Sequence, residues 1–581
     1  MRFSGTLGGA LMVLLIACLD SLPVVADAPF EQVDIPGLTG VTLGSVSWGD
    51  FDSDGRLDFL ISGYNGAEVS QIWRNTGSGF TNVTSAVAPN LPQVDSSSAA
   101  WGDYDNDGRL DFLLAGYWVG NNVRAQISQL WRNTGDGFTN VPIAGLPGVE
   151  HGSVAWADFD NDGRLDFLIT GYGHNDLVSQ LWRNTGGGFT NVPIPGLPKA
   201  FDGAVAWGDY DNDGWLDFLV AGASIYWPVS QLWRNVGGAF TNVTITVAPG
   251  LPQLDHSAAA WGDFDNDGQL DFLLTGDDWT NLVSQLWGNT DSGFTNVPIG
   301  NLPRVGFGSL AWGDFDSDGS LDFLMTGYSF PTPWGTVLQL WRNTAGGFTN
   351  IPIPDLPADI EGPVAWADYD NDSRLDFLIA GNWITQVWRN SGNFSNAPPT
   401  APSGLNATIS GDFVTLTWNA PADDHTPAAG LSYNVRVGSA PGASDVVSPM
   451  SLPNGFRLLP EPGNAHGRKR ILRLASGRTY HWSVQAVDGG FAGSPFAGEE
   501  QFTTPPLLAE PELLQDGRFQ FSFSNHSSLI YQVLATTNAA LPLAEWELLG
   551  LPDSVGGGQF RFMDALAPSH PGRFYVLRPE L

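Results

Sequence analysis

The stretch Trp101-Gly-Asp-Tyr-Asp-Asn-Asp-Gly-Arg-Leu-Asp-Phe-Leu-Leu-Ala-Gly116 decides the fold, because it occurs seven times along the chain. The first aspartates of the copies are Asp50, Asp103, Asp158, Asp209, Asp263, Asp314 and Asp368, spaced 51 to 55 residues apart. A fixed period of this length marks a repeat architecture, in which each copy buries its apolar surface against its neighbours. The chemistry lies in the pattern D-x-D-x-D-G-x-x-D. In the second copy the carboxylates are Asp103, Asp105, Asp107 and Asp111, with Gly108 at the sixth position. The corresponding sets are Asp50, Asp52, Asp54 and Asp58; Asp158, Asp160, Asp162 and Asp166; Asp209, Asp211, Asp213 and Asp217; Asp263, Asp265, Asp267 and Asp271; Asp314, Asp316, Asp318 and Asp322; and Asp368, Asp370, Asp372 and Asp376.

Three alternating carboxylates on a tight loop converge on one hard cation. The glycine allows the turn, the seventh residue offers its carbonyl, and the ninth closes the shell. Calcium takes six to eight oxygen ligands, and this spacing supplies most of them. The loop resembles the first nine residues of an EF-hand loop, without the glutamate at position twelve and between strands rather than helices. An acidic solvated turn explains one such loop, but not seven in register.

The A-W-G-D-x-D-N-D-G-x-L-D-F-L core and the following Q-L-W-R-N-T-G-x-G-F-T-N-V, as at Gln129–Val141, resemble the FG-GAP/VCBS repeats of integrin alpha-subunit propellers and bacterial surface proteins. The resemblance covers roughly residues 30 to 397. It implies a seven-bladed β-propeller with about one calcium per blade, bound between the first and second strands. The seventh copy departs from the pattern, with Ser373 in place of the glycine, which implies a weaker or strained site.

Composition agrees with an all-β chain. Charged residues are only 15% of the total, Gly numbers 71, and lysine occurs only at Lys199 and Lys469. The seven loops hold 28 of the acidic charges behind the net charge of −36. Seven bound calcium ions leave a charge still strongly negative, which excludes nucleic acid and anionic membrane surfaces as natural partners. Loops without metal repel themselves, so metal binding is coupled to folding.

Residues 1–26 read as an export signal, with Arg2 ahead of the apolar run from Ala10 to Ala17. Val24-Val25-Ala26 suits ordinary cleavage. Leu15-Ile16-Ala17-Cys18 resembles a lipobox that makes Cys18, the only cysteine, a lipid anchor. Both place the protein outside the cytoplasm, secreted or at the cell surface, without disulfides. No later apolar run is long enough to span a membrane.

Residues 27–397 are expected to form the propeller. Each repeat gives four strands, in the second Ser98–Gly102, Leu110–Gly116, Ile127–Asn133 and Phe138–Ile143. The N-terminal Phe30-Glu-Gln-Val-Asp-Ile matches the fourth-strand unit Phe189-Thr-Asn-Val-Pro-Ile, while the last repeat keeps only Phe394–Ala397. Residues 30–35 are therefore expected to complete the seventh blade and hide its edges. Fourteen of the 23 tryptophans recur at two repeat positions, which reads as packing between blades rather than sugar stacking.

The links between second and third strands vary instead. They carry Tyr64, Trp118, Tyr172, His174, Tyr226, Trp227, Trp279, Phe330, Trp334 and Trp383. Variable aromatic loops on a constant scaffold read as a ligand face for an extracellular protein or a polysaccharide.

Residues 398–505 resemble a fibronectin type III domain, from Val414–Trp418, Leu431–Val437 and Thr479–Val487, with Leu474 and Tyr480 as a tyrosine corner. An insertion around Pro460–Arg470 departs from a minimal copy, and such domains act mostly as spacers or interaction modules. Residues 506–581 read as a small β-rich domain with five strand candidates. The chain lacks G-x-S-x-G, H-E-x-x-H and a cysteine nucleophile, and His151, His174 and His256 show no spacing for a base or metal. The expectation is a calcium-binding adhesion or recognition module, not an enzyme. A polysaccharide lyase-like propeller or a structural scaffold is the alternative.

Overall fold

The computed structural model describes residues 30–580 except 121–122, 291, 330–334, 345, 358–359, 527–528 and 571. The leader with Cys18, and the link residues Phe330 and Trp334, lie outside the described residues.

The repeats fold into antiparallel four-stranded units. The first contains Thr42–Gly49, Asp58–Tyr64, Glu68–Asn75 and Phe80–Asn82, paired in chain order. The second contains Val94–Gly102, Asp111–Gly120, Val123–Asn133 and Phe138–Val141. Its second and third strands form a longer hairpin than the spacing predicts, because pairing continues from Phe112–Trp131 out to Gly120–Val123. The short strand Val149–Glu150 bridges this unit to the third, so the two appear as one continuous sheet. The last unit has only three strands of its own, and Phe30–Val33 adds the fourth by pairing antiparallel to Ile384–Asn390, Phe30 opposite Asn390. Phe30 is buried against Phe315, Trp366 and Phe377, so apolar contact as well as pairing holds the N-terminal strand in place.

Why the units close on one another is read from the first-strand tryptophans. Trp101 Nε1 donates to Ser47 O, Trp156 to Ala100 O, Trp207 to Ala155 O, Trp261 to Ala206 O, Trp312 to Ala260 O and Trp366 to Ala311 O. Trp48 Nε1 donates to Ala365 O at 3.2 Å, which joins the first unit to the last. The residue after each tryptophan must be small: a Cβ on Gly102 would lie 2.9 Å from the Trp156 ring. The third-strand tryptophans stack on the second-strand phenylalanines, as Trp131 does on Phe112 with centroids 6.1 Å apart. Both sets are packing residues, as their repetition implies.

Residues 403–503 form two three-stranded sheets: Ser403–Ser410, Phe413–Asn419 and Lys469–Arg473 against Ser432–Gly438, Thr479–Val487 and Glu500–Thr503. Trp418, Tyr433 and Trp482 fill the space between them, and Tyr480 Oη donates to Ala475 O at 3.1 Å. Residues 509–579 form two further sheets around Phe521, Phe523, Tyr531 and Phe562. Two of these strands, Ala509–Leu513 and Asp553–Gly556, were not expected from the pattern.

The sandwich is no free spacer. It is docked on the face of the ring that carries the aspartate loops. Asp50 N donates to Leu458 O, Asp314 N to Gly489 O and Arg473 N to Asn161 O. Asn106 Nδ2 donates to Val446 O, and Lys469 Nζ to Asn212 O. Leu458 and Leu459 join the apolar cluster of Phe51, Leu91 and Trp101. The insertion noted in the sequence contributes Lys469 to these contacts and begins just after Leu458 and Leu459. It walls one end of a central chamber of about 610 Å³ lined by the first-strand tryptophans. Arg470 reaches the third loop, its Nη2 2.7 Å from Asp158 Oδ2, with both side chains almost fully buried.

Removing one partner of a buried pair leaves an uncompensated charge, at a cost of about 3–5 kcal/mol. Arg470→Ala is expected to lower the melting temperature and to open the linker near Pro398 to limited proteolysis; an unchanged melt and digestion pattern would show that the ion pair does not hold the domains together.

Candidate functional site

In each aspartate loop the first and fourth carboxylates are pinned by backbone. Asp103 accepts from Asp107 N at 3.0 Å and Gly108 N at 2.9 Å. Asp111 accepts from Asn133 N at 2.7 Å and Tyr104 N at 3.2 Å. Both are fully buried. The second carboxylate leans over them, and Asp52, Asp105, Asp160 and Asp316 each keep one buried oxygen without a partner. An orphaned buried carboxylate oxygen beside two other carboxylates is costly unless a cation completes the group. First, second and fourth aspartates bring one oxygen each within 4.8 Å of one another, as in Asp50, Asp52 and Asp58, and in Asp263, Asp265 and Asp271. This donor set fits a hard divalent ion.

The third aspartates are held elsewhere. Asp54 pairs with Arg56 and Arg74, Asp107 with Arg109 and Arg132, and Asp162 with Arg164 and Arg183. One arginine of each pair follows the loop glycine; the other is that of Trp-Arg-Asn in the third strand, which also reaches the second aspartate, as Arg74 does Asp52 at 2.6 Å. In the fifth unit Gly288 replaces the third-strand arginine and Gln269 replaces the loop arginine, so that loop carries the least compensated charge.

The loops are also bonded to one another. Asn106 Nδ2 donates to Gly163 O, Asn161 to Gly214 O, Asn212 to Gly268 O, Asn266 to Gly319 O and Asn371 to Gly55 O. The fourth and sixth loop positions thus serve the ring as well as the turn. Ser373 accepts the left-handed conformation that glycine takes elsewhere, at φ +67° against +84° for Gly108, and still donates its N–H to Asp368.

Burial, reinforced by the neighbouring carboxylates, pushes Asp58 and Asp111 up to about 8 and Asp217 to about 9. Asp50 rises to about 6 and Asp103 to about 7 for the same leading reason.

On the opposite face, Tyr226, Trp227, Trp279, Trp383, Tyr172 and His174 are exposed, and Tyr64 and Trp118 half-buried. Only some come together. Trp227 and Trp279, from neighbouring units, have centroids 6.0 Å apart, and Tyr64 meets Trp383 at 5.6 Å. Trp118 packs instead against the apolar cluster shared by the first and second units.

A cluster that spacing did not show lies at the start of the inner strands. Leu43, Ser96, His151, Asp202, His256 and Phe307 each stand five residues before a first-strand tryptophan. All six have φ between +45° and +59°. Such strain in non-glycine residues persists where the surroundings over-determine it, often at functional sites. Neighbouring members are linked by backbone: His151 N to Ser96 O, Asp202 N to His151 O, and Phe307 N to His256 O. His151 Nδ1 lies 2.8 Å from Asp202 Oδ1, and His256 Nε2 lies 3.6 Å from Asp202 Oδ2. His256 Nδ1 is 3.0 Å from Asp255, which also accepts from Trp279 Nε1 at 3.1 Å. The bond to Asp202 holds the His151 cation above the usual imidazole range. Burial opposes the His256 cation, but Asp255 and Asp202 outweigh it. Register comparison of the repeats five residues before the tryptophan was the signal that would have found this cluster.

The fold and loops define a β-propeller built from FG-GAP-like repeats. The FG-GAP-like repeat family model matches residues 50–114, 117–169, 158–220 and 263–325. Cartilage acidic protein 1 of Xenopus tropicalis is 29% identical over 198 residues, which are 32% of this chain and 30% of that protein. The human protein of that name is also 29% identical, over 32% of this chain and 29% of its own. The match therefore spans about a third of the length of these relatives. Among solved structures, a mutant Aleuria aurantia lectin in complex with alpha-methyl-L-fucoside is 10% identical, with a TM-score of 0.34, covering 55% of this chain and 99% of that one.

Two outcomes follow for the loops. Without metal, the folded chain keeps protons on Asp58 and Asp111 that the unfolded chain releases near pH 4, so stability falls as pH rises from there toward about 8. Metal ligands must be deprotonated, so added calcium acts in the opposite sense. The gap in melting temperature between calcium-loaded and EDTA-treated protein is expected to widen from pH 5 to pH 8; a constant gap would contradict this coupling. Separately, Ser373→Gly removes left-handed strain and is expected to stabilise the protein by about 1 kcal/mol in denaturant titration, with a loss of stability the contrary result.

Proposed function

We propose that the chain is an exported, calcium-loaded, seven-bladed β-propeller that recognises an extracellular carbohydrate or protein, with a fibronectin type III-like domain capping the calcium face. The first, second and fourth aspartates of each loop hold the ion. It supplies positive charge to a cluster of buried carboxylates and cross-links a chain that has no disulfides. The closed set of seven tryptophan bonds, from Trp48 to Ala365 through Trp366 to Ala311, supports the blade count. Binding needs no chemistry from the loops, whose face is covered.

One observation carries the reading. The two faces are divided: one bears the acidic loops under the docked sandwich, and the other leaves Tyr226, Trp227, Trp279 and Trp383 in solvent, while the third-strand tryptophans are all buried. Exposed, clustered indoles mark a surface used for binding.

Action on a polysaccharide is the second reading, and the pairs His151–Asp202 and His256–Asp255 favour it, since a carboxylate-oriented imidazole is a serviceable general base. The full chain, loaded with calcium, is to be passed over an array of glycans and extracellular proteins, with a parallel EDTA arm and re-assay of eluted glycans for cleavage. Calcium-dependent capture without cleavage is the expected result. Cleavage would establish the second reading, and capture indifferent to calcium and to the aromatic face would overturn the first.

A further inference from the structure

We infer that the face opposite the aspartate loops carries a binding site for an uncharged saccharide, assembled from the strained inner-strand residues of the third to sixth units and the indoles of Trp227 and Trp279. The inference rests on the recognition reading above and names its ligand and its residues.

The polar part of the site is continuous. From Trp279 it runs through Asp255, His256 and Asp202 to His151, each step within 3.6 Å. It crosses three consecutive units, so only the packing of one unit on the next brings it together. It alternates donors and acceptors: imidazole N–H, carboxylate, imidazole, carboxylate, indole N–H. Paired hydroxyls of a sugar donate and accept in the same alternation, and a carboxylate that already takes one imidazole has lone pairs left for a hydroxyl. Asp202 and both histidines keep part of their surface in solvent, with 21% of the Asp202 side chain and 41% of the His151 side chain accessible.

The apolar part is equally specific. Trp227 is 71% exposed and Trp279 51%, and their planes are tilted by 30°. Phe307, 41% exposed, lies against the His256 ring with centroids 3.7 Å apart. Trp279 is held with φ +69° and its indole anchored on Asp255, which spends strain to fix one ring orientation. Flat aromatic faces set beside hydrogen-bonding groups match the two sides of a pyranose, one apolar C–H face and a rim of hydroxyls.

Charge selects within that class. Asp95 and Glu150 face His151, Asp277 faces His256 together with Asp255 and Asp202, and Glu361 also faces His256. The carboxylates outnumber the two imidazoles, so a uronate or sulfated glycan meets repulsion, while neutral sugars do not.

The test uses the full calcium-loaded chain and the variants Trp227→Ala and Asp202→Asn. Trp227 is mostly exposed, so its truncation leaves the fold intact, and melting temperature is recorded for both. On an array of neutral, uronate and sulfated glycans, the parent is expected to capture neutral glycans. Each variant is expected to lose about tenfold in affinity or more, Trp227→Ala with an unchanged melt. Unchanged affinity in both variants, or capture confined to anionic glycans, would overturn the site while leaving recognition by the propeller intact. Capture of an extracellular protein but no glycan does the same. Capture of nothing removes the recognition reading itself, and with it this one.

Discussion

The asparagine of each Trp-Arg-Asn segment is the joint on which the ring depends. Asn133 donates its N–H to Asp111, and its amide donates to Leu110 O in its own unit and to Phe51 O in the preceding one. Asn75 does the same toward the last unit, with its amide on Tyr369 O at 2.8 Å. One buried side chain thus orients the ninth-position carboxylate, fixes the loop against the third strand, and ties neighbours together. Loss of a buried amide with every polar atom used in this way would orphan several groups at once, which costs more than any one of its hydrogen bonds contributes.

From that joint the two faces acquire different roles. Backbone N–H groups hold the loop carboxylates together, and the docked sandwich packs over them through Leu458, Leu459 and Arg470. Covering that face leaves the other as the accessible one. There the inner strands begin with bulged residues at positive φ, whose side chains differ from unit to unit while the scaffold beneath them repeats. A repeating ring thereby carries a non-repeating set of side chains on this face.

The four-stranded units were legible in the sequence because turns, alternation and tryptophan spacing act over a few residues. Strand limits moved where pairing ran on beyond the local pattern, as in the hairpin from Phe112 to Trp131. The carboxylate clusters were legible for the same reason, since all four members lie within nine residues. Engagement of Asp54, Asp107 and Asp162 by arginines about twenty residues away was not, and neither was the use of Asn106 and Gly163 as a bond between loops. These contacts join residues whose separation says nothing about their distance in space.

By itself the sequence determined an all-β repeat chain, the four aspartates of each loop, the joining of Phe30–Val33 to the last unit and the packing role of the repeated tryptophans. Each follows from periodicity, and periodicity is a local property. Only the tertiary structure decided that the second domain lies on the loop face, that Arg470 meets Asp158, and that His151, Asp202 and His256 stand together. The physical reason is the packing of one unit on the next. His151, Asp202 and His256 are more than fifty positions apart and share no local signal, and they become neighbours only because successive units place the same strand position side by side.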